Sequence, residues 1–520
     1  MNKMKTDNLK YIGEPLKQRL KKNSLSNMLY FVVTFPLMFI LTPLILKYTG
    51  KEAYGIWALT GTILVFVEML GGVQTSTALN IMVPKYDPKK DSRDINELTN
   101  TLFGFYVITA AVIAAVFVPL KQPILDMFFR VEQTSLATAE FILVFSFFIF
   151  LLNFIMTSFA YLMNGFNISY PYSILHIISS FLRFGLMALF LFLGYGIKGV
   201  VIAQMGVLIL ETLAILIITK IVYPPLRFGP RYFSFGKLKT MLVLSLKLIM
   251  NRLAVMINYN ADKLILGYFL TPVFAGFYQI GSNVAKYISQ VPEMMGLASL
   301  IPAASELKAK NQMHKLETLY TRVNKYLFFI AILIFSGIAI FGREFTRLWL
   351  GDGYDEVYLV MSVLGGAYIA ALAGYVSMNL LNGLERIRET FIISSVSAVL
   401  NVALSIVLTK YYGLKGALTG TAIAMAGSGI AMAVLFHKMT GIGMGLRVVF
   451  LKPVITAAAC FGLYYLISQN MVMPSNWVVF FAKAVIFSLV YVAALIFVFK
   501  HFDAYDWDLV KNYMARKEKL

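Results

Sequence analysis

The sequence predicts an all-α integral membrane protein, and three observations carry that prediction. First, 59% of its 520 residues are hydrophobic and only 14% are charged, which lies well outside soluble composition. Second, the apolar residues form runs of ~20 residues or more, the length at which a helix crosses a bilayer. Third, the basic residues behind the net charge of +20 stand between these runs, which indicates contact with anionic lipid rather than nucleic acid. A water-soluble enzyme is therefore excluded.

The apolar runs, bounded by charged residues or by Gly and Pro, predict fourteen transmembrane helices. Their approximate ranges are 24–47, 54–83, 99–120, 140–164, 172–194, 197–220, 241–268, 273–302, 325–341, 357–382, 391–410, 414–437, 450–468 and 477–500. Lys and Arg are about threefold more frequent on the side of the two termini, so the positive-inside rule predicts cytoplasmic termini. Residues 1–23 are basic, with Leu9, Ile12, Leu16 and Leu20 on one helical face, and predict an interfacial helix, with a solvated basic tail as the alternative.

Short strings recur in the same order about 217 residues apart, which indicates an internal repeat. The first copy holds MNGF at 163–166, IISS at 177–180 and GIKG at 196–199, and the second holds LNGL at 381–384, IISS at 392–395 and GLKG at 413–416. Each copy contains an even number of spans, so the repeat predicts two parallel six-helix bundles, at 24–220 and 241–437. Residues 221–240 are then a cytoplasmic linker. Two appended helices follow at 438–500, and 501–520 form a cytoplasmic tail.

Together with YGIWAL at 54–59, the stretch 261–280 and PAASELKAK at 302–310, these strings resemble the Wzx-type polysaccharide flippases of the multidrug/oligosaccharidyl-lipid/polysaccharide exporter superfamily. The resemblance implies transport without a cofactor. Its substrate is expected to be a polyprenyl-pyrophosphate-linked oligosaccharide, moved from the inner to the outer leaflet of the cytoplasmic membrane by alternating access. Expected partners are anionic membrane lipids, a polysaccharide polymerase and glycosyltransferases, and no nucleic acid is expected.

Charged residues within the spans are the strongest functional signal, because a charge at the bilayer centre costs at least ~2.5 kcal/mol. Five of them lie roughly eleven to fourteen residues into their spans, near mid-depth at 1.5 Å per residue. They are Glu68, Arg183, Glu211, Arg252 and Lys286. We interpret Arg252, Lys286 and Arg183 as ligands of the pyrophosphate, because a buried phosphate needs cationic partners. For Arg183 the alternative is an ion pair with Glu211 on the adjacent span.

Amide side chains on the same spans supply hydrogen-bond partners suited to sugars, although ordinary interhelical hydrogen bonds explain them as well. The candidates are Gln74, Asn80, Asn251, Asn258, Gln279 and Asn283. Glu68 or Asp262 is a candidate for Na⁺ or H⁺ coupling, and the sequence does not choose between these ions.

The sequence gives no support for ATP binding, metal binding or glycosyl transfer. No Walker A string is present, the four histidines lack metal-ligand spacing and no metal site is predicted. Asp506-Trp507-Asp508 matches a glycosyltransferase DxD string, but its place after the last span favours surface charge. Two alternatives to a flippase remain. One is a cation-coupled multidrug exporter of the same fold, although 24–46 lacks the acidic residue expected of it. The other is a membrane scaffold for polysaccharide assembly.

Overall fold

The computed structural model describes residues 11–72, 75–445, 447–469, 476–504 and 506–508. Within these ranges it leaves out the side chains of 31, 35, 70, 72, 134, 247–252, 298, 448, 468 and 469. Over these residues the chain is helical and forms no strand. The helices are α1 Leu16–Gly72, α2 Thr75–Met82, α3 Ser92–Phe128, α4 Gln133–Gly165, α5 Tyr170–Phe192, α6 Gly196–Val222, α7 Phe235–Phe269, α8 Pro272–Met294, α9 Leu300–Ala309, α10 Met313–Leu350, α11 Asp355–Gly383, α12 Ile387–Thr440, α13 Lys452–Gln469 and α14 Trp477–Ala493. The predicted all-α class is confirmed for this part of the chain.

Ten helices within the described residues are long and apolar enough to cross a membrane, so the chain is a multi-pass membrane protein. Two of the ten, α1 and α12, each contain a glycine with non-helical backbone angles, Gly50 and Gly413. The intervals predicted as spans seven and eight lie on α7 and α8, which are not among the ten. The count of fourteen spans therefore stays a prediction.

Helix α12 reverses direction at Gly413, where φ is +57°, a left-handed conformation that favours glycine. The turn divides α12 into a first limb before Gly413 and a second limb after it, and the backbones of the two limbs are in contact. A Cβ on Gly416 would lie 2.1 Å from the carbonyl oxygen of Leu408, and a Cβ on Gly420 would lie 2.7 Å from the amide nitrogen of Ser405. The limbs therefore form an antiparallel hairpin that only glycine permits at these positions.

The two NG strings fold into turns of the same kind. In the first, Asn167 has φ +57°, and Ile168 N–H donates to the carbonyl of Met163. In the second, Glu385 has φ +68°, and Arg386 N–H donates to the carbonyl of Leu381. Each turn thus ends its helix with a left-handed residue and the same long-range backbone bond.

The helices form two compact units, one of residues Met1–Met256 and Lys263–Gly276, the other of Ile257–Asp262 and Phe277–Leu520. The first unit has a core built largely from α2, α3 and α4, with Tyr106 and Phe159 fully buried in it. In the second unit, α11 packs against α9, α10 and α12.

The interval 221–240, predicted as a linker, is bound to the N-terminal part of α3 within the first unit. The Asn96 carboxamide accepts from Arg227 N–H at 2.8 Å, and that of Asn100 accepts from Gly229 N–H at 3.1 Å. Asn100 also donates to the carbonyl oxygen of Arg227 at 2.8 Å. These amides satisfy backbone groups that would otherwise need water, so the linker is held in an ordered path.

Gly55→Ala is expected to lower the free energy of unfolding by about 1–3 kcal/mol or more. A Cβ on Gly55 would lie 2.1 Å from the carbonyl oxygen of Pro272, a backbone atom that cannot rotate away. Gly61 lies on the same helix and has no atom within 4 Å of a Cβ, so Gly61→Ala is the matched control. Thermal unfolding in detergent measures both variants. Equal melting temperatures would contradict the close backbone contact.

Candidate functional site

Asp262 on α7 lies at the centre of a buried polar cluster in the second unit, with 1% of its surface exposed. Its Oδ1 accepts a hydrogen bond from Ser405 Oγ at 2.7 Å. Its Oδ2 accepts from Thr421 Oγ1 and from the Tyr278 hydroxyl, each at 2.5 Å. Three hydroxyl groups from α8 and from both limbs of α12 therefore converge on one carboxylate.

Further oxygen atoms complete this cluster. Asn401 Oδ1 lies 3.1 Å from Ser405 Oγ and 3.2 Å from Thr421 Oγ1, and the carbonyl oxygen of Ala417 lies 3.4 Å from Ser405 Oγ. A hydroxyl group carries one hydrogen, so Ser405 cannot donate to all three of its acceptors at once. The cluster thus offers more acceptor oxygens than hydroxyl hydrogens, which is the composition that a hard cation prefers.

The α12 hairpin is what assembles these oxygens. Asn401 and Ser405 are one helical turn apart on the first limb, and Ala417 and Thr421 are one turn apart on the second. Because Gly420 has no side chain, the second limb approaches close enough for Thr421 to reach Asp262. Within the described residues, no three His, Cys, Asp or Glu side chains come together. The oxygens here come from one carboxylate, hydroxyls, an amide and a backbone carbonyl.

The residues predicted to bind pyrophosphate are placed as follows. Lys286 is exposed on α8. Arg252 lies on α7, but its side chain is outside the described residues. Arg183 lies on α5, where its Nη2 donates to Glu211 Oε2 at 3.0 Å, so the ion pair considered as an alternative is present in the first unit.

The amides predicted to contact sugars show three kinds of environment. Gln279 Nε2 donates to Asn283 Oδ1 at 2.8 Å on α8. Asn258 Oδ1 accepts from Asn401 Nδ2 at 3.1 Å, beside the Asp262 cluster. Asn80 Oδ1 is buried and makes no hydrogen bond within the described residues. Gln74, and the side chain of Asn251, lie outside those residues. Glu68, the second candidate for ion coupling, is exposed on α1.

The interpretation of Asp506 as surface charge is wrong, because only 4% of its surface is exposed. Its carboxylate accepts from Lys325 Nζ at 2.5 Å and from Arg322 Nη1 at 2.7 Å. Arg322 also lowers the pKa of the neighbouring Asp503 to about 2, while burial lowers the pKa of His501 to about 4. The chain after α14 is therefore held to α10 by a buried ionic contact, and the DxD string is not free to bind a nucleotide sugar.

Comparison with known proteins identifies the family of this chain. Residues 20–308, more than half of the chain, match the family described as polysaccharide biosynthesis protein. Two relatives come from Haloferax volcanii. The chain is 24% identical to its probable low-salt glycan biosynthesis flippase Agl15 over 165 residues and 25% identical to its probable flippase AglR over 178 residues. These stretches cover 32% and 34% of this chain, and 35% and 37% of the relatives, so the chain spans about a third of each relative's length.

Solved structures show the same fold at low sequence identity. The lipid II flippase MurJ in an inward closed conformation has a TM-score of 0.66 at 14% identity, over 90% of this chain and 98% of that one. An inward-facing multidrug resistance MATE family transporter of the MOP superfamily has a TM-score of 0.62 at 14% identity, over 80% and 98%. The predicted resemblance is thereby confirmed. The chain belongs to the polysaccharide biosynthesis protein family and has the fold of the MurJ and MATE family structures.

Proposed function

We propose that this protein is a flippase that moves a polyprenyl-pyrophosphate-linked oligosaccharide from the inner to the outer leaflet of the cytoplasmic membrane. The observation that carries the proposal is the match to the polysaccharide biosynthesis family over residues 20–308. Two partial relatives that are described as flippases, one of them in glycan biosynthesis, support the same assignment. Anionic lipids, a polysaccharide polymerase and glycosyltransferases are the partners that such a role requires.

The proposed mechanism is alternating access between the six-helix bundles at 24–220 and 241–437, with fourteen spans and both termini cytoplasmic. The matching turns at Asn167 and Glu385 support a parallel repeat, because they end equivalent helices in the same way. The reversal at Gly413 supports the count, since it divides α12 into two limbs and each limb matches one predicted span. Residues 221–240 connect the bundles, 438–500 supply two further spans, and 1–23 and 501–520 lie at the cytoplasmic face.

For the substrate headgroup we propose Arg252 and Lys286 as the principal ligands. A pyrophosphate brings about two negative charges into low dielectric, where each charge is tolerable only when it is paired. Arg suits bidentate contact with phosphate, and an exposed Lys286 on α8 is accessible to a ligand. Arg183 is a third candidate whose guanidinium is already bound to Glu211. The amides of Gln279 and Asn283 are proposed as partners for sugar hydroxyls.

For the coupling ion we propose Na⁺ at Asp262. The cluster around this carboxylate offers oxygen atoms from Ser405, Thr421, Asn401 and the backbone of Ala417. One carboxylate balances the charge of one monovalent cation, whereas Ca²⁺ sites commonly gather several carboxylates. Binding of Na⁺ would draw α7 and the two limbs of α12 together, because their oxygens share the ion.

Reconstitution tests the substrate assignment. Purified full-length protein is placed in liposomes with a fluorescently labelled polyprenyl-pyrophosphate oligosaccharide, and movement to the far leaflet is followed by a quencher. Arg252→Ala and Lys286→Ala are each expected to slow flipping by about 10- to 100-fold, because a hydrogen bond to a charged group contributes about 1.5–3 kcal/mol and each 1.4 kcal/mol is about tenfold. Lys239→Ala, an exposed cation near the start of α7, is the matched control and should flip at the wild-type rate. Wild-type rates for both test variants would contradict the headgroup assignment.

A further inference from the structure

A cavity of about 380 Å³ lies in the second unit, where the start of α10, the turn between α11 and α12 and the end of α12 meet. Its volume lies within the range of small-molecule sites. Three charged side chains line it: Lys308 of α9, Glu385 of the turn and Arg386, which directly precedes α12. The cavity is separate from the Asp262 cluster and from the residues proposed for the substrate headgroup.

The charged lining consists of two cations and one carboxylate. Lys308 Nζ lies 2.5 Å from Glu385 Oε2, and it donates to the carbonyl oxygen of Leu384 at 3.4 Å. Arg386 makes one long contact, with its Nη1 3.5 Å from Oε1 of Glu389, which lies outside the lining. Most of the guanidinium N–H donors of Arg386 therefore make no hydrogen bond within the described residues. An anion is the ligand that would balance this lining.

Glu385 is a weakly held counter-ion of Lys308. Its side chain is 81% exposed and that of Lys308 is 46% exposed, and exposed ion pairs contribute little to stability. Glu385 also has φ +68°, a left-handed conformation that suits Gly or Asn better than Glu. The corresponding residue of the first repeat is Asn167, with φ +57°. A carboxylate kept at a position where Asn fits better indicates a functional role for this turn.

The remainder of the lining is mostly apolar and includes Met313, Leu381 and Met439. Inorganic phosphate would leave this apolar surface uncovered, whereas a lipid would place its glycerol and first acyl carbons against it. The orientation predicted from the Lys and Arg distribution puts the cavity at the cytoplasmic surface of the membrane, where anionic phospholipids lie. Met313 begins α10 and Arg386 precedes α12, so the positive ends of two helix dipoles also favour an anion.

We propose that this cavity binds the phosphate of an anionic phospholipid, with Arg386 and Lys308 as cationic ligands and Glu385 as the carboxylate that the phosphate displaces. A phosphate diester carries one negative charge and several acceptor oxygens, so it can contact both cations, and Arg386 offers it paired N–H donors. The apolar lining holds the part of the lipid next to the phosphate. Lipid binding here does not depend on the flippase assignment.

Calorimetric titration of the full-length protein in maltoside micelles tests the site. The probe is dihexanoyl phosphatidylglycerol, and dihexanoyl phosphatidylcholine is its zwitterionic counterpart, which should bind more weakly. Arg386→Gln and Lys308→Gln are each expected to weaken the binding of phosphatidylglycerol by about 10-fold, because each removes a charged hydrogen-bond donor. Arg388→Gln removes an exposed arginine that does not line the cavity, so it is the matched control and should bind like the wild type.

Glu385→Gln is expected to tighten binding by about 2- to 5-fold, the range that an exposed ion pair accounts for, because Lys308 no longer has to release a carboxylate. Glu306→Gln changes the net charge equally, at an exposed carboxylate that pairs with Lys310 outside the lining, and should leave the affinity unchanged.

Three results would overturn the proposal: a wild type that binds no phosphatidylglycerol or binds phosphatidylcholine equally well, equal affinities in Arg386→Gln and Arg388→Gln, or no gain in Glu385→Gln. Glycerol phosphate distinguishes a lipid from a soluble ligand, because it carries the phosphate without the acyl chains. We expect it to bind more weakly than phosphatidylglycerol. Equal affinity for the two would identify a soluble phosphate as the ligand and contradict the lipid site.

Discussion

Asp262→Asn is expected to reduce Na⁺ affinity by at least about 100-fold, because loss of a neighbour that merely orients a metal ligand already costs about 10- to 100-fold. The substitution removes the Asp262 carboxylate, which among the described oxygens of this cluster is the one that carries a negative charge. Calorimetric titration of the full-length protein with NaCl, at constant ionic strength set by choline chloride, measures the affinity. The same variant should make flipping independent of Na⁺.

Matched variants make the sodium prediction specific. Asp352→Asn removes a carboxylate that is 96% exposed and should bind Na⁺ like the wild type. Thr421→Val and Ser405→Ala each delete one oxygen and should weaken binding less than Asp262→Asn does. Unchanged affinity in Asp262→Asn, or a wild-type protein that binds no Na⁺, would exclude the ion site. Neither outcome would affect the reconstitution test of the substrate.

Asp506→Asn is expected to lower the free energy of unfolding by about 3–5 kcal/mol, the typical cost of removing one partner of a buried ion pair. Lys325, which is 3% exposed, would be left with a buried positive charge beside a neutral amide. Thermal and denaturant unfolding of the second unit, followed by fluorescence in detergent, measure the loss.

The neighbouring carboxylate provides the comparison. Asp503 also contacts Arg322, at 2.7 Å, but 52% of its side chain is exposed, so Asp503→Asn should cost at most about 1 kcal/mol. A double variant, Asp506→Leu with Lys325→Met, should recover much of the stability, because replacing both charges leaves none unpaired. If Asp506→Asn and Asp503→Asn were equally stable, burial would not be the source of the effect.

The sequence predicted that the chain is helical more reliably than it predicted how many helices span the membrane. The first glycine of GLKG, Gly413, lies between two predicted spans, and α12 reverses at that residue. Helices α7 and α8 carry charged and amide residues, and neither is among the ten helices that are apolar enough to count as spans within the described residues. The same residues therefore weaken the signal for a span and strengthen the signal for a site.

The partners of Asp262 could not be predicted, for a physical reason. Hydroxyl groups in membrane helices commonly bond to their own backbone, as Thr219 does to the carbonyl of Ile215 and Ser245 to that of Met241. Sequence alone does not separate these from Ser405 and Thr421, whose hydroxyls reach across to a carboxylate. Asp506 was misjudged for a similar reason, because its partner Lys325 lies 181 residues away in the chain.

The tight reversal at Gly413 also bears on how this part of the chain enters a bilayer. Since the turn is so short, the two limbs of α12 can insert as a pair with little polar backbone to carry across the hydrocarbon. Tyr411 and Tyr412 are 72% and 68% exposed beside the turn, next to Lys410, and such side chains settle among lipid headgroups. We therefore expect the tip of the hairpin to lie at the membrane surface and to fix the depth of Asn401 and Ser405 in the bilayer.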